Sequence, residues 1–222
     1  MTSLININGQ QLAPNPPQLD FILLDGSASM RGKWWPTLKA LDRYVAGLGE
    51  LRSRILLRIF STTTSQLNIF EARNVVSSDW KPLLVEPVGS FWGGTPLYDA
   101  INEMGLSLQK LMPDRCSIII ATDGEENSSQ TTLSQAKAIL DWCRFQGWAI
   151  TFLGCDFNSS QTARELGASD SESIGVQTRL LADAAASLAK KREVYGKTGA
   201  PMHWSESEQR QFGGYLSKSS TS

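Results

Sequence analysis

Two short apolar runs end at carboxylates. Residues 19–24, LDFILL, run directly into Asp25, and residues 116–121, CSIIIA, are followed by Thr122 and Asp123. Between and after them, segments with apolar residues at helical spacing alternate with further apolar runs. Leu38, Leu41, Val45 and Leu48 form one helical stripe over residues 33–48, with Pro36 near its start. Leu97, Ala100, Ile101, Met104, Leu108 and Leu111 form another over 96–111, and Leu133, Ala136, Ile139, Leu140 and Cys143 a third over 132–146, closed by Gly147. Strands are predicted at 19–24, 54–60, 66–70, 116–121, 148–153 and 172–175, with a short helix at 162–166 and a final one at 178–192. Residues 66–70 suit an edge strand. Residues 71–94, rich in Pro and Gly, read as loop with a turn of helix.

Alternating strands and helices imply an α/β fold. The expected architecture is Rossmann-like and doubly wound, with a mostly parallel central sheet and helices on both faces. In such sheets ligands bind beyond the carboxyl ends of the strands, at a topological switch. Asp25 and Asp123 both follow strands, so strand polarity alone puts them on one rim.

The chain has 222 residues and 41% hydrophobic content, enough for one sizeable core. Three units follow from the composition: an arm at 1–18 with a hairpin signal at Asn8-Gly9, a domain at 19–195, and a tail at 196–222. In the tail, Ser205 to Glu208 form a capping-box pattern for a short helix, with the remainder expected to be mobile. A formal net charge of −1 argues against a general nucleic-acid binder. No run reaches the roughly 18 apolar residues of a membrane span. The start of the chain lacks the basic and apolar regions of a secretory signal, so a cytoplasmic location is expected. Cys116, Cys143 and Cys155, an odd count without a CxxC pair, read as buried reduced thiols. His203 is the single histidine and lies in the tail, which excludes a site built on two histidines and disfavours a Ser-His-Asp triad. There is no GxxxxGK[ST] or GxGxxG phosphate loop.

The residues around the two aspartates form three segments. Asp25-Gly-Ser27-Ala-Ser29 follows the first strand, Gly94-Thr95-Pro96-Leu97 opens a helix, and Thr122-Asp123-Gly124 ends the central strand. Taken singly, Asp25 and Ser27 fit a helix N-cap and Asp123-Gly124 a turn. Together, in this order, they resemble the metal-ion-dependent adhesion site of von Willebrand factor A domains. The likeness covers residues 19–192 and begins with the DxSxS signature. The resemblance implies a site for Mg2+, with Mn2+ or Ca2+ as alternatives. Ser27 and Ser29 would bind the ion directly, and Thr95 directly or through water. Asp25 and Asp123 would act mostly through waters and hydrogen bonds. Mg2+ wants six oxygens in near-octahedral geometry, which hydroxyls and carboxylates from three loops supply while leaving room for a partner.

Arg31, Trp34 and Trp35 follow the first segment, Trp92 precedes the second, and Glu125 and Glu126 follow the third. Arg31, Trp34, Trp92, Glu125 and Glu126 are the candidate partner-binding residues, Trp and Arg being frequent interface anchors. Trp35 reads equally well as a core residue. The run Lys190-Lys191-Arg192 reads as cations at a helix C-terminus. The expected function is a metal-dependent protein-interaction module, not an enzyme, that captures a partner's Asp or Glu through the bound ion. The alternative is a metal-dependent phosphoester or nucleotide hydrolase, for which Glu125 or Glu126 is the only nearby base. An RNA-related role is a third reading that the near-neutral charge disfavours.

Overall fold

The computed structural model describes residues 18–49, 51–63, 66–83, 93–124, 126–155 and 159–213. The hairpin signal at Asn8-Gly9 lies outside them. The described strands are β1 (Gln18–Asp25), β2 (Arg54–Thr63), β3 (Gln66–Val76), β4 (Arg115–Thr122), β5 (Ala149–Cys155) and β6 (Ser173–Val176). The helices are α1 (Trp34–Ala46), α2 (Leu97–Leu111), α3 (Leu133–Phe145), α4 (Ser159–Glu165), α5 (Leu181–Thr198) and α6 (Glu206–Gly213). One six-stranded sheet has the order β3-β2-β1-β4-β5-β6. All neighbours pair in parallel except β2 and β3. The fold is thus the expected doubly wound α/β sheet. The chain leaves β1 toward β2 on one side and enters β4 on the other, so the topological switch lies between β1 and β4.

The hydrophobic core splits into two layers because successive strand residues face opposite sides. Ile22 and Leu24 of β1 look toward α1 and α5, packing with Leu38, Leu41, Leu188 and Ala189. Leu19, Phe21 and Leu23 look toward α2 and α3, packing with Ile101, Met104 and Leu140. A strand buried on both faces is apolar at nearly every position, which is why 19–24 shows no alternation; the exception, Asp20, is paired. Helix α3 begins with a reciprocal cap: Gln135 N donates to Thr132 Oγ1 (3.3 Å), and Thr132 N donates to Gln135 Oε1 (2.9 Å). It ends at Gly147, whose φ of +76° favours glycine. Cys116, Cys143 and Cys155 are buried and unpaired, and burial pushes the Cys143 and Cys155 thiols up to about 12.

Three expectations change. Strand β3 continues through Val76 instead of ending near residue 70. A register shift against β2 between Leu57 and Arg58 breaks the two-residue alternation that would reveal it. Helix α5 runs on to Thr198, so Arg192 is an interior residue and not a terminal cation. Its guanidinium donates to Asp20 Oδ1 on β1 (2.8 Å), Gln18 Oε1 (3.0 Å) and Ser53 Oγ (3.2 Å). Tyr44 of α1 also donates to Asp20 Oδ1. Finally, the short helix expected from Ser205–Glu208 forms as α6, but the stretch around it is packed against the domain and is not a loose tail. Met202, Trp204 and Phe212 are buried in the layer that holds α1 and α5. The Gln177 amide donates to the Phe212 carbonyl (3.1 Å), and α6 covers the outer side of β6.

Glu208 fastens α6 to α5. It accepts from Ser187 Oγ (2.6 Å) and Ser205 N (2.9 Å), and pairs with Lys191 Nζ (2.8 Å). Burial opposes its charge, but the Lys191, Ser187 and Ser205 contacts outweigh burial and hold the carboxyl at about 2. A folded pKa below the ordinary 4.5 gives stability that is present above that value and lost as pH falls toward 2. Glu208→Gln, which keeps the shape without the charge, should flatten this part of the profile. Urea melts of both proteins at stepped pH between 5 and 2, values on the order of the carboxyl range, will show the slopes.

Candidate metal centre

The site forms where β1 and β4 end side by side. Leu24 pairs with Ala121, and the next residues, Asp25 and Thr122, are the last of their strands. The Gly26 amide donates to the Phe60 carbonyl of β2 (2.8 Å), turning the first loop across the rim. Asp25 is fully buried. Its Oδ1 accepts from the Ser27 amide (2.8 Å), and its Oδ2 from Thr122 Oγ1 (2.6 Å). Burial pushes its carboxyl up to about 6; the hydrogen bonds from Thr122 and Ser27 pull it back, and the nearby Asp123 charge adds to the rise.

The hydroxyls of the first loop turn toward the third. Ser29 Oγ donates to Asp123 Oδ1 (2.7 Å), and Ser27 Oγ lies 3.0 Å from Ser29 Oγ. Gly124 lines the cradle between the three loops. A Cβ added there would lie 3.3 Å from Thr95 Oγ1, 3.6 Å from Ser29 Oγ and 3.9 Å from Asp25 Oδ2. Thus a point next to Gly124, in the third segment, is within 4 Å of oxygens from the first and second segments. Neighbouring oxygens around Mg2+, each about 2.0–2.1 Å from it, are about 3 Å apart in an octahedron. The Ser27–Ser29 separation of 3.0 Å has that spacing. No group of three or more His, Cys, Asp or Glu capable of holding a metal occurs among the described residues. The donors here are instead hydroxyls with two carboxylates, a hard oxygen set that suits Mg2+, Mn2+ or Ca2+ and not a soft ion.

The second and third loops are bound into one unit. Asn127 Oδ1 accepts from the Thr95 amide (2.9 Å), while the Asn127 amide donates to the Thr95 carbonyl (3.3 Å). Glu126 accepts from the amides of Tyr98 (2.9 Å), Ser128 (2.7 Å) and Ser129 (2.6 Å). Ser129 Oγ accepts from the Asp99 amide (3.1 Å). Amides in the first turn of α2 lack intrahelical partners, and a carboxylate at that end also suits the helix dipole. The second loop is held to β2 and the first loop as well. Thr62 Oγ1 accepts from the Gly94 amide (2.9 Å), and the Ala28 amide donates to the Gly93 carbonyl (3.0 Å).

Asp25, Ser27, Ser29, Thr95 and Asp123 therefore meet at one place. The flanking residues divide differently from expectation. Trp34 is buried at 1% exposure as the first residue of α1, so it packs in the core and does not face a partner. Its neighbour Trp35 is 50% exposed; the helix turn reverses the two roles. Arg31 is exposed beside the site. Glu126 is committed to the backbone amides of Tyr98 in α2 and of Ser128 and Ser129 in its own loop, which corrects its reading as a partner contact or general base. Trp92 and Glu125 lie outside the described residues.

Sequence reasoning missed two groups. Glu126, Asn127 and Ser129 act as positioning residues, and the Asn/Ser-rich run after Gly124 carried a signal for side-chain bonds to loop backbone. Lys33 is the other. Its Nζ lies 2.6 Å from Asp123 Oδ2, and the Asp123 carboxylate is buried. A cation four residues beyond Ser29, within a motif of carboxylates, was the available clue.

No protein-family model matches the sequence, and no curated protein matches it. Solved structures do match. The von Willebrand factor type A protein from Catenulispora acidiphila aligns with a TM-score of 0.60 at 14% identity, over 79% of this chain and 42% of that one. The vWF domain of the type V pili tip protein Mfa5 from Porphyromonas gingivalis aligns at 0.59 and 12% identity, over 82% and 97%. The manganese-loaded TRAP protein of Plasmodium vivax aligns at 0.54 and 13% identity, over 77% and 72%. The chain spans under half the length of the Catenulispora structure and of the mussel byssus matrix protein PTMP1, which it also resembles. At these identities the likeness concerns architecture: the chain has the fold of a von Willebrand factor A domain.

Proposed function

We propose that this chain is a protein-interaction module whose binding depends on a divalent cation, Mg2+ in the first instance. Asp25, Ser27, Ser29, Thr95 and Asp123 would hold the ion, and an Asp or Glu of the partner would complete its coordination. One observation carries the reading: Ser29 and Asp25 oxygens of the first loop and the Thr95 hydroxyl of the second lie within 4 Å of a single point beside Gly124 of the third. The manganese-loaded TRAP protein, which has the same fold, supports a divalent ion in this architecture.

The bound ion would supply an electrophilic position open to a carboxylate. The protein's own residues supply the rest. Asp25 and Asp123 would contribute negative charge mostly through waters and hydrogen bonds, and the hydroxyls of Ser27, Ser29 and Thr95 would be neutral donors, so the ion would stay electrophilic enough for a partner's carboxylate. Arg31, two residues beyond Ser29, and Trp35 at the start of α1 are exposed. A hydrolytic role would need a base standing apart from the ligands, and Glu126 is spent on amides.

The test is a calorimetric Mn2+ titration of the wild type and of Ser29→Ala, followed by partner capture in Mg2+ or in chelator. Ser29→Ala is expected to weaken Mn2+ by at least roughly 10–100-fold, on the scale of altered metal shells. Chelation should release the partner. Unchanged Mn2+ affinity in the variant, or capture indifferent to chelator, would overturn the proposal.

A further inference from the structure

Lys33 has no part in holding a divalent ion, yet its contact with Asp123 is built into the site. Lys33 follows the short turn Ala28–Gly32 that carries Ser29, and it caps α1. Its backbone is fixed from both sides. The Lys33 amide donates to the Met30 carbonyl (2.9 Å), while its carbonyl accepts from the Thr37 amide (2.9 Å) and Thr37 Oγ1 (2.8 Å). Its ammonium is therefore delivered to the rim by an ordered segment. It meets Asp123 Oδ2 at 2.6 Å while Ser29 Oγ holds Oδ1 at 2.7 Å. Both oxygens of this buried carboxylate are thus engaged by the first loop.

We infer that Lys33 is the chain's own counter-ion for Asp123 and competes with the divalent cation for that carboxylate. This inference rests on the metal-site reading above and names a residue that tunes it. A divalent ion in the cradle and an ammonium on the same carboxylate repel each other, and the repulsion is strong where the shared group is shielded from water. Cation binding must either displace Lys33 or accept its charge nearby. The lysine therefore sets a threshold: the site fills only at cation levels that overcome it. A neutral side chain at position 33 removes that threshold and leaves Asp123 short of a counter-charge until a divalent ion arrives.

Lys33→Met and Lys33→Gln remove the charge while keeping much of the stem, and Lys33→Arg retains the charge. The probe is Mn2+ alone, read by calorimetry and by the melting temperature with and without saturating Mn2+. Both neutral variants are expected to bind Mn2+ on the order of tenfold tighter than wild type, with Lys33→Arg close to wild type; each factor of ten corresponds to about 1.4 kcal/mol. The neutral variants should also melt lower than wild type without Mn2+ and recover with it, so their Mn2+-induced shift is the larger. A merely structural lysine would lower the melting point equally in both conditions. Mn2+ binding in the neutral variants alone supports the inference in its strongest form. Binding in wild type that is no tighter in either neutral variant overturns it and leaves the metal site standing. No Mn2+ binding in any of these proteins overturns both.

Discussion

Replacing Arg192 with methionine is expected to cost about 3–5 kcal/mol of folding stability, the usual penalty for removing one partner of a buried ion pair. Arg192 and Asp20 are both fully buried, and their side chains meet at 2.8 Å beneath the sheet's amino end. The guanidinium also satisfies Gln18 and Ser53, so one side chain joins α5 to β1 and to the segment before β2. Without it, Asp20 keeps only the Tyr44 hydroxyl, because its Oδ2 has no hydrogen-bond partner in the structure. Domains of this kind have roughly 5–15 kcal/mol in total, so the loss is a large share. Asp20→Leu with Arg192→Met removes both charges and should recover most of it. Urea denaturation of the single and double variants measures the difference. A single-variant loss below about 1 kcal/mol, the level of an exposed pair, would show that Asp20 is not committed to Arg192.

Gly93→Ala is expected to damage both the fold and the cation site. A Cβ at position 93 would lie 1.4 Å from the Thr62 carbonyl oxygen and 2.6 Å from its carbon. These are backbone atoms, so relief requires β2 and the second loop to separate. That separation would loosen the Ala28–Gly93 and Thr62–Gly94 bonds (3.0 and 3.2 Å), which hold the first loop, the second loop and the end of β2 in register. The expected cost is at least about 2 kcal/mol, at the upper end of ordinary substitutions. Mn2+ affinity should fall by roughly 100-fold, since displacing a positioned group by about 1 Å is enough for that. Gly32→Ala is the control, because no atom lies within 4 Å of its added Cβ. Thermal melts and Mn2+ titrations of the pair decide the matter; equal behaviour would mean that the second loop is free to shift.

What the sequence revealed was whatever local pattern alone specifies. The runs of β1 and β4 are buried on both faces, so they were apolar but for one position each, Asp20 and Ser117, and unmistakable. Combined with the polarity of a parallel sheet, they were enough to place Asp25 and Asp123 on one rim. The hydroxyls Ser27, Ser29 and Thr95 came from the motif, and the structure brings them together with the two aspartates. What escaped was tertiary in origin. Trp34 and Trp35 are adjacent, and only the entry angle of α1 decides which is buried. Arg192 looked like a terminal cation because its partner, Asp20, lies far away in sequence. Residues 71–76 lost their alternation to a bulge. The Lys33–Asp123 contact depends on two loops meeting, and nothing in the local spacing announces it.

The two lateral margins of the sheet have a consequence for assembly. On one side β6 is screened by α6, whose last turn receives the Gln177 amide. On the other, β3 is kinked by its register shift against β2. Irregular or covered edges resist the addition of a further strand from a neighbouring molecule. Lateral growth of the sheet is therefore an unfavourable route to any larger structure. Contacts through the loop-bearing end and the helical sides are the routes left open, and the candidate cation site lies at that loop-bearing end, where the strands finish.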